Sequence, residues 1–123
     1  MILLDTHALI WLDLGRARVA PLLRGGQRLY ISPANLLELQ MLEESGRLNL
    51  PKGDDAHALA VDDRWTLDDP PAASWFAAAL DLSWTRDPFD RLLAAHARVR
   101  GWRLATADET VLKNLGPRHS VEL

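Results

Sequence analysis

Four carboxylates in this chain sit where folding alone does not fully account for them. Asp5 closes the apolar run Ile2-Leu3-Leu4, and Glu38 lies inside Leu36-Leu37-Glu38-Leu39. Asp90 follows Asp87-Pro88-Phe89, and Asp108 comes two residues after Arg103-Leu104-Ala105-Thr106. Four carboxylates brought to one spot repel one another and push at least one pKa upward unless a divalent ion neutralises them. Oxygen ligands in a chain without any Cys suit Mg2+ or Mn2+ rather than zinc. An ion of that kind bridges protein carboxylates and a substrate phosphate, activates water and stabilises a leaving oxygen, which is what hydrolysis of a phosphodiester requires.

Each acid also has a plain structural reading. Asp5 and Asp108 both stand where an N-cap would precede a helix. Asp87 is explained as the cap of a helix with Pro88 at its first position. For Asp90, three residues on, cap and ligand remain alternatives, because a capping box prefers the longer Glu or Gln there. Glu38 is harder to dismiss. Its helical neighbours are Ala34, Asn35, Met41 and Leu42, and an ionised carboxylate among them needs a cation, a hydrogen-bond network or an edge open to solvent. Glu43 can pair with Arg47 four residues on. The doublets Asp54-Asp55, Asp62-Asp63 and Asp68-Asp69 read as caps and solvated turns.

The segments that carry these residues alternate strand with helix. The continuous apolar run Ile2–Leu4 reads as a buried parallel strand. Helices follow over 8–14 and 16–23, the second stopped by Gly25-Gly26, and Leu29-Tyr30-Ile31 is the next strand. Ser32-Pro33 opens a mostly buried helix over 34–44. A short helix after Asp54-Asp55, a short strand at 65–67 and an Ala-rich helix over 72–80 with Trp75 and Phe76 to bury come next. Asp87-Pro88 then starts a long helix to Arg100, with His96 at the edge of its core face. Strand 103–106, a helix from 108 to 115 and an edge strand over 120–123 complete the chain. The pattern predicts an α/β fold in three layers, with a mainly parallel central sheet of four to five strands flanked by helices. In such sheets chemistry collects beyond the carboxyl ends of the strands, where Asp5, Asp108 and, one helical turn on, Glu38 fall.

Composition narrows the function classes. The 123 residues, 48% of them apolar, make a single domain over 1–123 the expectation. The absence of Cys excludes disulfide scaffolds, thiolate metal sites and cysteine nucleophiles. The longest nearly apolar stretch, 72–80, is far below the roughly 18 residues of a membrane span, so no membrane association and a cytoplasmic location are expected. A formal charge of −3 offers no bulk attraction to nucleic acid, so local cations must supply it. Arg86, Arg91, Arg98 and Arg100 lie on or beside the long helix, and Arg16 and Arg18 on the second helix. They are the candidates for phosphate contacts, with pairing to the many aspartates as the alternative. Trp11 and Trp84 are candidate base-stacking residues, with burial in the core or a dimer interface as theirs. The four His have no mutual spacing of a metal pair.

Four blocks in order resemble the PIN-domain ribonucleases, and within them the toxin component of VapBC-type toxin-antitoxin systems. They are Leu3-Leu4-Asp5-Thr6-His7-Ala8-Leu9-Ile10-Trp11, Ile31-Ser32-Pro33-Ala34-Asn35-Leu36-Leu37-Glu38-Leu39 with Gly46-Arg47-Leu48, Asp87-Pro88-Phe89-Asp90-Arg91-Leu92-Leu93-Ala94-Ala95, and Leu104-Ala105-Thr106-Ala107-Asp108. The resemblance implies that Asp5, Glu38, Asp90 and Asp108 hold one or two Mg2+ or Mn2+ ions. It also implies that Thr6 and Thr106 are hydroxyls orienting those carboxylates or bound water, and that Asp87 stays the cap with a looser part in the acidic pocket. Two positions depart from the family pattern: Asn35 stands where Ser or Thr is usual, and Leu37 where many relatives have Trp, so the surroundings of Glu38 are expected to differ. By resemblance, the activity is endonucleolytic cleavage of RNA, with a small cognate antitoxin and a homodimer as partners. Two other classes compete. A phosphoacceptor receiver domain needs an acidic pair after the first strand and a Lys after the last, and Lys52 and Lys113 are badly placed for it. A PIN-like module that only docks partners would not need all four acids.

Overall fold

The computed structural model describes residues 1–123. Five short strands form one wholly parallel sheet: β1 (Ile2–Leu4), β2 (Leu29–Ile31), β3 (Thr66–Leu67), β4 (Arg103–Thr106) and β5 (Ser120–Glu122), in the order β3-β2-β1-β4-β5. The register pairs Leu3 with Tyr30 on one side and with Leu104 on the other. Parallel neighbours need crossovers, supplied by α1 (Thr6–Asp13), α2 (Pro33–Glu44), α3 (Ala56–Ala60), α4 (Ala72–Leu80), α5 (Pro88–Arg100) and α6 (Glu109–Leu115).

Alternation along β1 divides the core in two. Ile2 and Leu4 face a cluster with Leu9, Ile31, Leu39, Leu59 and Trp65, whereas Leu3 faces Trp75, Leu93, Ala95, Leu104 and Val111 on the other side of the sheet. Helices therefore cover both faces, the three-layer arrangement expected when strands are apolar on both sides. The chain moves from β1 outward to β2 and β3, then crosses back to place β4 on the far side of β1. That reversal opens a crevice at the carboxyl ends of β1 and β4.

Several expectations need correction. The second predicted helix is a 3-10 helix over Ala17–Leu23, with Pro21 inside it. Proline has no N–H to give, and its ring clashes with the carbonyl four residues back, so a regular α-helix is disfavoured there. In α4, Trp75 is buried and donates its indole N–H to the Leu92 carbonyl at 2.7 Å, while Phe76, one residue round the helix, is 53% exposed. The helix α2 is less buried than its composition suggests: Leu39 is inside, but Leu37 and Met41 stand on the opposite, solvent-facing side.

Two aspartates read as caps or solvated turns belong to ion pairs. Asp62 binds Arg64, whose guanidinium also reaches the nearly enclosed Asp13 at 2.6 Å. Asp68 binds Arg100 at 2.8 Å and the fully buried His96 at 2.7 Å, joining the loop after β3 to α5. Asp55 does cap α3, accepting from Ala58 N–H at 2.8 Å. No helix is long and apolar enough to cross a membrane.

Candidate active site

The crevice between β1 and β4 collects the acids from four separate segments. Asp5 leaves β1 directly into α1: its N–H donates to the Ala105 carbonyl of β4 at 3.0 Å, and its Oδ1 caps the helix by accepting from Ala8 N–H at 2.7 Å. Asp108 does the same one strand over, accepting from Val111 N–H at 3.0 Å to cap α6. The Thr106 hydroxyl accepts the Asp108 N–H at 3.1 Å. Capping and site-building are thus compatible, since a cap uses one carboxylate oxygen and leaves the other to the crevice.

Glu38 arrives on α2 through a chain of bonds that begins at its cap. Ser32 caps α2 from Ala34 N–H at 3.2 Å, and Asn35 closes the box by accepting from Ser32 N–H at 2.6 Å. The Asn35 amide, fully buried, then donates to the Leu4 carbonyl and to the Thr6 hydroxyl, both at 3.2 Å, and that hydroxyl donates to Glu38 Oε1. The departure at position 35 is therefore a bridge: the longer amide spans from the end of β1 to the hydroxyl that holds Glu38. Sequence reasoning marked Asn35 only as a change of packing. Its signal was the capping-box spacing from Ser32.

On α5 the two acids divide the roles left open by their spacing. Asp87 is the cap, accepting from Phe89 N–H at 2.8 Å and Asp90 N–H at 3.1 Å. Asp90 does not close a box, because the Asp87 N–H is taken by the Thr85 hydroxyl at 3.2 Å. Its carboxylate faces the other acids instead. Burial pushes the Asp90 pKa up to about 7, reinforced by the charges of Asp87, Asp108, Glu38 and Asp5. Asp5 is raised chiefly by burial and further by Asp108, against the lowering pull of the Thr106 hydroxyl, the Ala8 N–H and His7. Burial also raises Glu38, with Asp87 and Asp5 adding to the shift, while the Thr6 hydroxyl and His7 oppose it.

The acids thus share one electrostatic neighbourhood, but no three carboxylates or imidazoles converge tightly enough to enclose an ion by themselves. The donor set nonetheless suits a hard dication. It is all oxygen, it is destabilised by its own charge, and Mg2+ in particular keeps several waters and is commonly bound through only one or two carboxylates.

His7, exposed on the first turn of α1, is the one basic side chain close enough to act on both Asp5 and Glu38. The His spacing, which offers no metal pair, does not point to it; the sequence signal for His7 is its position two residues after Asp5. Of the cations singled out for phosphate contacts, exposed Arg86 adjoins Asp87. The half-buried Arg91 spends its guanidinium on the Thr85 carbonyl at 2.7 Å and the Ala79 carbonyl at 3.5 Å. Arg98 lies eight residues beyond Asp90 on α5, about 12 Å along the axis. It lines a concavity of about 370 Å³ with Trp84, Trp102 and His119, at the other end of that helix. Trp84 belongs to that recess, and Trp11, beside His7, is partly buried.

Comparison with known proteins agrees with this arrangement. The model of the PIN domain family matches residues 2–116. Ribonuclease VapC22 of Mycobacterium tuberculosis is 31% identical, over 95% of this chain and 94% of that protein. Among solved structures, a toxin-antitoxin complex from Klebsiella pneumoniae superposes with a TM-score of 0.70 at 16% identity, covering all of both chains. VapBC2 from Rickettsia felis, bound to a DNA fragment from its promoter, gives 0.71 at 19% identity over 100% of this chain and 99% of that one. A family match spanning nearly every residue, with its strands and acidic crevice in the expected order, means that the chain belongs to the PIN-domain family.

Proposed function

We propose that this protein is a Mg2+- or Mn2+-dependent endoribonuclease, the toxin of a VapBC-type pair, whose small antitoxin restrains it. The observation that carries the reading is the meeting of Asp5, Glu38, Asp90 and Asp108 in one crevice, with Asp90 pushed up to about 7 by burial and then by its acidic neighbours. Similarity to a protein named as a ribonuclease supports RNA as the substrate, and similarity to toxin-antitoxin complexes supports an antitoxin as its partner.

Asp5, Glu38, Asp90 and Asp108 would hold one or two ions, which supply charge neutralisation and activation of water when bound. The rest of the work belongs to the chain. Thr6, fixed by Asn35, holds Glu38 in one orientation by donating to it. Thr106 ties the Asp108 backbone and faces Asp5. Asp87 keeps the first turn of α5 formed, which fixes the direction of Asp90. Arg86 offers a cation at the rim for an RNA phosphate, whereas Arg91 and Arg98 contribute less to the crevice because of their contacts and position.

The test is cleavage of cellular RNA by purified protein with EDTA, Mg2+ or Mn2+, alongside Asp5→Asn and Asp90→Asn. Cleavage that needs the metal and disappears in both variants, with circular dichroism unchanged, supports the assignment. Equal cleavage by the variants, or cleavage unaffected by EDTA, defeats it.

A further inference from the structure

A cation outside the acidic crevice is held as though for a ligand. The guanidinium of Arg18 lies over the Trp11 ring, 3.8 Å from its centroid, and Trp11 in turn stands 5.8 Å from the His7 ring on α1. One Arg18 N–H reaches the Leu123 carbonyl at 3.3 Å. With the guanidinium stacked on the indole and one donor occupied, four of its five N–H groups are uncommitted. It is exposed and makes no ion pair with any aspartate or glutamate side chain. Arg64 and Arg100, by contrast, are locked onto Asp13 with Asp62 and onto Asp68. A stacked guanidinium has already lost much of the side-chain freedom that binding would otherwise cost.

The position matters as much as the chemistry. His7 and Trp11 are one turn apart on α1, about 6 Å along the axis, and the helix starts at Asp5. The series His7, Trp11, Arg18 therefore runs outward from the rim of the crevice along one side of α1, and its near end, His7, faces Asp5 and Glu38. A net charge of −3 and the acidic crevice would repel a polyanion, so an approaching strand needs a local cation held in place.

We propose that Arg18, braced on Trp11, is a phosphate-binding fork for the RNA backbone, and that the substrate strand leaves the acidic crevice over His7 toward it. This inference rests on the ribonuclease reading. It adds to that reading a direction for the strand and a binding residue remote from the scissile bond. A contact made equally before and during the reaction tightens substrate binding without altering turnover.

The experiment measures anisotropy of a fluorescein-labelled single-stranded RNA oligonucleotide in EDTA, across a salt series, for the unsubstituted protein and for Arg18→Gln, Arg18→Lys and Arg118→Ala. Arg18→Gln is expected to weaken binding about 5- to 10-fold and to lower the log–log salt slope by ~0.7, the loss of one phosphate contact on a single strand. Arg18→Lys keeps the charge but not the fork, so it falls between the two. Arg118→Ala, an exposed arginine in the turn before β5, controls for loss of charge alone and leaves both quantities unchanged. In metal, Arg18→Gln raises KM with kcat held.

Arg18→Gln binding with unaltered affinity and slope overturns the proposal, as does an equal loss in Arg118→Ala. If the unsubstituted protein neither binds nor cleaves RNA, the ribonuclease reading fails and this one with it. If it cleaves and Arg18→Gln matches it, only the fork is removed.

Discussion

Replacing Asp90 by Asn is expected to make the metal-free protein more stable while abolishing cleavage, a combination that a purely structural acid would not give. Asp90 titrates at about 7 rather than the usual 3.8 because it is half-buried among four other carboxylates. A carboxyl raised in the folded state binds its proton more tightly there than in the unfolded chain. Its contribution to stability is therefore greatest below ~4 and is lost as pH climbs toward ~7. At about 1.4 kcal/mol per pH unit the ionised group costs at most ~4 kcal/mol, and solvent screening of a half-exposed site reduces this to about 1–2 kcal/mol. Asparagine removes that cost but forfeits about 0.3–1 kcal/mol of favourable interaction with the N-terminus of α5. The net gain is about 1 kcal/mol, near 4 °C in Tm for a chain of this size. Thermal unfolding in EDTA at about pH 4 and about pH 8.5 brackets the effect, because linkage develops it between the unfolded and the folded pKa. Added Mn2+ is expected to raise Tm of the unsubstituted protein and to leave Asp90→Asn nearly unmoved. A variant no more stable than its parent at the higher pH without metal would show that the acids do not destabilise one another, and would remove the physical case for an ion among them.

Two further changes probe how the site is supported. Asn35→Ala strips partners from the buried Ser32 N–H and Leu4 carbonyl and frees Thr6. It is expected to cost about 2–4 kcal/mol in urea unfolding, since buried polar groups left unpaired cost ~1–3 kcal/mol each, and to lower cleavage about 10-fold through loss of Glu38 orientation. Unchanged cleavage per folded molecule would show that the Asn35–Thr6 chain does not position Glu38. His96 is fully buried against Asp68, and burial, acting against that carboxylate, holds its pKa below 6.5. A lowered His pKa gives stability that is present above about 6.5 and declines as pH falls. The difference in unfolding free energy between the parent and His96→Phe should therefore narrow below that pH, and a gap independent of pH would contradict it.

The order of strands and helices was legible because the local signals agree with the fold: apolar runs for buried parallel strands, Ser32-Pro33 and Asp87-Pro88 at helix starts, and glycine at the end of α5, where Gly101 takes φ 71°. The parts that escaped depend on which face of an element meets the core. Phe76 and Leu37 are apolar by type, but α4 and α2 turn their Trp75 and Leu39 faces inward. Nothing in their immediate neighbours announces that choice. Asp62 is the turn residue it reads as, accepting the Arg64 N–H while pairing with the same residue's guanidinium, whereas Asp68 escaped because Arg100 lies thirty-two positions away and only tertiary structure brings it back. Among the site acids, Asp87 and Asp90 show the limit most clearly. Spacing left cap and ligand open for Asp90, and the outcome depends on Thr85, which occupies the Asp87 N–H that a capping box would have used.

That outcome also explains how a small domain tolerates such a crevice. Three of the acids around it, Asp5, Asp87 and Asp108, each accept a backbone N–H at the start of a helix. There the unsatisfied amides and the helix field favour a negative charge. Their repulsion is offset locally, one helix at a time. Asp90 has no such donor and Glu38 has one hydroxyl, so the uncompensated charge concentrates on these two residues, one in the first turn of α5 and the other in the second turn of α2. A cation drawn to the crevice gains most between those two side chains, and loss of either should weaken its binding more than loss of a capping acid's free oxygen.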